Sequence, residues 1–64
     1  MMIRIVDGET FVKLSISQDQ LPQIGHHVHF VSGVKVVKKK IVEIVHSYYS
    51  DNGQLCSIDL VVAE

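Results

Sequence analysis

Three histidines fall within four residues, at His26, His27 and His29, shortly before the lysines Lys35, Lys38, Lys39 and Lys40. Neutral imidazole is a ligand that zinc and nickel accept. On a strand, His27 and His29 share one face and can reach one ion. A closed site needs a third and a fourth ligand, and no Asp, Glu or Cys stands at a spacing that supplies them. His27 and His29 are therefore weak metal candidates, best read as an exposed histidine-bearing strand. No cofactor is expected.

Cys56 is the only cysteine, so no disulfide forms within the chain. A nucleophilic thiol requires a nearby base and a depressed pKa. Alternation instead sets Cys56 on an apolar face with Ile58 and Leu60, as a buried thiol. His46 is expected on the same face, buried and neutral. A catalytic base must orient a nucleophile, but Ser47, Ser57 and Asp59 point to the opposite face by the same alternation. With no phosphate loop, carboxylate pair or metalloprotease motif, no enzyme is expected.

The lysine cluster supplies four of the six positive charges within six residues of a chain whose net charge is −1. Small barrels bind single-stranded nucleic acid on a basic groove beside stacking aromatics. Lys35, Lys38, Lys39 and Lys40 with Tyr49 as platform form that candidate surface. The remaining sequence is acidic, which is a thin electrostatic footprint for such a binder. A solvated, charge-protected bulge is the plainer reading.

The elements that carry these residues are marked by four glycines. Asp7-Gly8, Ile24-Gly25, Ser32-Gly33 and Asn52-Gly53 cut the chain into five segments rich in Val, Ile, Leu and Phe. Glycine suits turns and weakens strands, so the pattern predicts five strands. A two-residue Asp7-Gly8 loop pairs Val6 with Glu9, setting Met1, Ile3 and Ile5 on one face with Val12 and Leu14. The stretch from Ser17 to Gly25, with Leu21, Pro22 and Ile24, is expected to tuck over one end of the core. The next strand carries Val28 and Phe30 on one face, and His27, His29 and Val31 on the other.

From Val34 to Ser50 neither glycine nor proline intervenes. One flat strand of that length would reach roughly 50 Å at about 3.3 Å per residue, so a bend is expected. The alternation fails at Lys38-Lys39-Lys40, which predicts a β-bulge among the lysines. A helix with Val37, Ile41, Ile44 and Tyr48 on one stripe is the rival. It is set aside because β-branched residues dominate and no N-cap precedes the run. For the last hairpin, a three-residue Asp51-Asn52-Gly53 loop sets Val42, Ile44, His46 and Tyr48 opposite Val62, Leu60, Ile58 and Cys56.

Five short, bent antiparallel strands around one core make an all-β, SH3-like barrel or rolled meander. An OB-fold fits less well, since no segment is free to supply its helix. Over Leu21-Pro22-x-x-Gly25-x-x-Val28-x-Phe30, and the long strand ending in Asp51-Asn52-Gly53, the chain resembles small SH3-like barrel proteins of bacteria and their phages. That resemblance implies a fold, and an accessory or interaction role rather than an enzyme.

Size and composition point the same way. A chain of 64 residues is a single domain that buries a smaller fraction of its surface than a larger one does. Yet 47% of the residues are hydrophobic. Under the registers above, Phe11, Ile41, Val45, Tyr49, Leu55 and Val61 have no place inside. This outward apolar face is the expected partner surface, for another protein or for self-association into an oligomer. The lone cysteine and the lack of an export signal suggest a reducing, cytoplasmic setting. No run is long enough to span a bilayer, so no membrane partner is expected.

Overall fold

A computed structural model describes all residues 1–64 as five strands in one mixed sheet. The strands are β1 (Met2–Asp7), β2 (Thr10–Lys13), β3 (His27–Ser32), β4 (Lys35–Tyr48) and β5 (Leu55–Ala63). Their order across the sheet is β2-β1-β5-β4-β3, and the sheet curls into a half-barrel with β2 and β3 as free edges. The all-β class and the five strands agree with the sequence reading. One pairing departs from an antiparallel meander: β1 and β5 run parallel, with Ile3 opposite Ile58 and Ile5 opposite Leu60. No helix is long and apolar enough to cross a membrane.

The first hairpin is shifted by one residue in each strand from the expected register. Asp7 pairs with Thr10 and Ile5 with Val12, leaving Gly8-Glu9 as the loop. Gly8 has φ of +63° and Glu9 has no positive φ, the pattern of a type II′ turn rather than type I′. Parity is unchanged, so Val12 and Leu14 still share a face with Ile3 and Ile5. The β3–β4 hairpin repeats the device, with Ser32 paired to Lys35 and Gly33 at φ +63° opening a Gly33-Val34 loop.

β4 is a single strand of 14 residues, about 46 Å at about 3.3 Å per residue. The molecule is correspondingly elongated, 44 × 24 × 20 Å, so the strand fits without breaking. Its bulge lies at Val42 rather than among the lysines: Ile41 pairs with Val62, and Glu43 with Val61. A second irregularity follows on β5, where Ser47 opposes Ser57 but Tyr48 opposes Leu55, leaving Cys56 as the extra residue. The last loop accordingly holds four residues, closed by Tyr49 N–H to the Gln54 carbonyl at 2.8 Å and Gly53 N–H to the Tyr49 carbonyl at 2.9 Å. Between the two bulges, Ile44 faces Leu60 and His46 faces Ile58, the register expected from alternation.

The core comprises Ile3, Ile5, Ile41, Ile58, Leu60 and Val62. Leu14, Ile16 and Leu21 pack against it from the connection between β2 and β3. That connection is held by a single 3-10 turn at Gln18–Gln20, whose Gln20 Oε1 accepts from the Ser17 N–H at 3.0 Å. The expected loop is thus tucked on the core through Leu21, but Ile24 stands away from it, 62% exposed.

Candidate functional site

The open side of the half-barrel is a groove of about 250 Å³. Val12 and Phe11 border it from edge strand β2, Phe30 from edge strand β3, with Ile5 and Val37 between. Its apolar lining arises because a sheet of this order never closes: β2 and β3 are separated, and the inward side chains between them lack a covering strand. Val12 and Phe11 remain more than half exposed there, at 52% and 54%.

Lys39, Asp7 and Thr10 complete the lining. Lys39 Nζ reaches Asp7 Oδ2 at 3.2 Å and Glu64 Oε1 at 3.7 Å. This links β4 to β1 past the end of β5. The Lys39 side chain is only 15% exposed, its stem lying along apolar surface with the ammonium neutralised.

The residues expected on the outward face do not stay together. Ile41 is fully buried because the bulge falls after it rather than before, which keeps it in phase with the core. Leu55 packs against the core as well, since the Cys56 bulge lets Leu55 take the inward position. Val45 and Val61 do face outward, but they share that face with the Arg4–Asp59 ion pair. Val61 pairs with Val6 and Glu43, whereas Val45 pairs with Asp59, which is opposite Arg4. Phe11 covers that ion pair, its ring centroid 4.9 Å from the Arg4 guanidinium carbon.

Cys56 is half-buried and lines a second hollow with Met1, Met2, Arg4, Tyr49 and Ser57. A hydrogen-bonding interaction with the Cys56 side chain raises the Tyr49 hydroxyl above the ordinary phenol value. His46, expected to be buried, is exposed. Its place on β4 lies beyond the last pairing with β3, so nothing covers the strand on that side. Tyr48 and Val42, also expected inside, are exposed as well, Val42 as the bulge residue that has no partner on β5.

The lysines and histidines come together in a way the linear pattern did not reveal. Lys38 pairs with His29 and Lys40 with His27 across the β3–β4 hairpin, on its outer face. Lys35 and Lys39 alternate to the other face. Tyr49 lies in the hollow at the far end of β4, apart from all four lysines, so the lysines and the proposed stacking platform do not form one surface. Burial, then Lys38, Lys40, His29 and His26, lower the His27 pKa below its ordinary value. No group of three or more His, Cys, Asp or Glu side chains is arranged to hold a metal ion. Comparisons with family models, curated proteins and solved structures gave no match for the chain.

Proposed function

We propose that this protein is a non-enzymatic binding module that receives a segment of a protein partner in the groove between β2 and β3. The observation that carries this reading is the apolar lining of that groove, with Ile5, Val12, Phe30 and Val37 gathered between two unpaired sheet edges. An extended segment laid against either edge would find free backbone donors and acceptors for main-chain hydrogen bonds, and apolar positions for alternate side chains. The resemblance to small SH3-like barrel proteins, and the accessory role it implies, support the same reading.

The groove takes over the role that the sequence assigned to an outward face, because Ile41 and Leu55 belong to the core. Copurification of the tagged wild type and Val12→Lys from the native cell tests the reading. A partner retained by the wild type and lost with Val12→Lys is expected. A partner held equally by both proteins, or none at all, would count against it. Sedimentation of the purified chain reveals whether the partner is a second copy, since a self-associating chain forms dimers that Val12→Lys dissociates.

A further inference from the structure

The β3–β4 hairpin extends beyond the sheet. β5 pairs with β4 only from Lys40 onward, so residues 35–39 have β3 as their only strand partner. The turn at the end of this arm is Gly33-Val34, and Val34 is fully exposed. One row back on the outer face, Val31 stands opposite Val36, with 69% and 55% of their surfaces exposed. The next rows on that face are His29 opposite Lys38, then His27 opposite Lys40. The arm thus has an apolar end followed by two basic rows.

Neither feature has a role in packing. A turn position favours polar residues that bond their own backbone, and Val34 covers no part of the core. Lys38 lies in the stretch of β4 that β5 leaves unpaired, but Lys40 pairs with Ala63 as well as with His27 and so guards no free edge. Edge strand β3 carries histidines and an exposed valine in place of permanent charges. Like charges directly opposite each other destabilise a strand pair, and protonating the histidines creates two such pairs. The groups facing His27 are His26, His29, Lys38 and Lys40, with no carboxylate among them. Lys39 draws Asp7 and Glu64 toward the other face.

The spacing along the arm selects the ligand. At about 3.3 Å per residue, the Val31–Val36 row lies roughly 7 Å behind Val34, and the His29–Lys38 row roughly 13 Å. Amphipathic helices on a bilayer interface sink their apolar face about 5–10 Å, a depth that the apolar end of this arm matches. We propose that the end of this arm docks on an anionic lipid surface. Val31, Val34 and Val36 enter the headgroup–acyl boundary. Lys38 and Lys40, joined by His27 and His29 when protonated, contact headgroup phosphates. Lys35, beside the tip on the opposite face, extends its ammonium back to the headgroups along a flexible stem. The sequence reading expected no membrane because nothing spans one, but surface docking by a hairpin requires no span.

Vesicle cosedimentation of the full chain tests the proposal, using phosphatidylcholine alone and an equimolar mixture with phosphatidylglycerol. Measurements at about pH 5 and about pH 8 bracket the ordinary histidine value of about 6.5. Binding is expected to the anionic vesicles and not to phosphatidylcholine, and to be tighter at the lower pH. Val34→Asp lies in an exposed turn and should leave circular dichroism unchanged while weakening binding at least tenfold. Lys38→Met with Lys40→Met should weaken it by about fivefold per lysine. Vesicle binding indifferent to Val34→Asp overturns the proposal. Equal binding to phosphatidylcholine overturns it too, as does binding of a labelled oligonucleotide without binding of vesicles.

Discussion

Arg4 and Asp59 stand directly opposite each other on the parallel strands β1 and β5, joined by Nε–Oδ1 and Nη2–Oδ2 hydrogen bonds of 2.8 and 2.7 Å. The fork geometry matches both carboxylate oxygens at once, and the bonding to Asp59 raises the Arg4 pKa further above its ordinary value. β1 and β5 are far apart in sequence, and theirs is the one parallel pairing of the sheet. An ion pair at its centre marks the register, because a one-residue slip would carry Arg4 to the core face.

Arg4→Lys should therefore lower the melting temperature although the charge is kept, since an ammonium cannot reproduce the fork. In an Asp59→Asn background the same change should cost less, as expected for coupled partners. Thermal unfolding of the two single variants and the double variant checks this. Additive losses would mean that the two side chains stabilise the sheet independently.

Ile41 provides the sharpest contrast between an outward and a core assignment. It is fully buried, and Ile→Ala at such a site costs about 2–5 kcal/mol. Against a stability of roughly 5 kcal/mol for a small domain that leaves about 0–3 kcal/mol, so Ile41→Ala should unfold at a much lower urea concentration than the wild type. Val45→Ala, on the outer face, should change stability by about 0.5 kcal/mol or less. Urea titration followed by circular dichroism measures both.

What the sequence made legible was local. Alternation and glycine placement specify the strands, the faces of β1 and β2, and the Ile44–Leu60 and His46–Ile58 register. The parallel docking of β5 on β1 was not legible, because no turn chemistry links segments so distant in the chain. The bulges at Val42 and Cys56 each moved an assignment by one residue. That single-residue change was enough to place Ile41 and Leu55 inside and Cys56 beside Tyr49. The groove is not legible in the sequence because it depends on which strands become edges, and edges are a property of sheet order rather than of any one segment. The two lysine–histidine rows required the β3–β4 register, which follows from a turn beginning at Gly33.

Gly8 isolates the contribution of a turn from that of packing. A Cβ placed there would meet nothing within 4 Å, but the residue holds φ of +63°. Gly8→Ala should destabilise the domain by about 1–3 kcal/mol through backbone conformation alone. The loss should appear in equilibrium urea unfolding with an unchanged slope against denaturant, because the surface exposed on unfolding is the same. An unchanged midpoint would show that the hairpin can adopt a different turn at no cost.

His27 should make the fold sensitive to acid, and the sign follows from the direction of its shift. Burial, the charges of Lys38 and Lys40, then His29 and His26 lower its pKa below 6.5 in the folded protein. Well above pH 6.5 His27 is neutral in both states and contributes nothing. As pH falls through 6.5 the unfolded chain takes up the proton first, so stability declines until the lower, folded value has been passed. Below that value both states are protonated and the loss levels off. Carboxylates titrate in the same experiment, so the informative quantity is the difference between wild type and His27→Gln at each pH. That difference should grow in favour of the variant from about pH 7 to about pH 5, spanning the ordinary histidine value. Replacing Lys38 and Lys40 by Met removes the two largest charge contributions and should move the His27 titration, followed by the NMR shift of its Cε1 proton, back toward 6.5. An unmoved titration would leave burial and the neighbouring histidines His29 and His26 as the causes of the depression. A wild-type-to-variant difference that stays flat across this range would remove His27 as the acid-sensitive group.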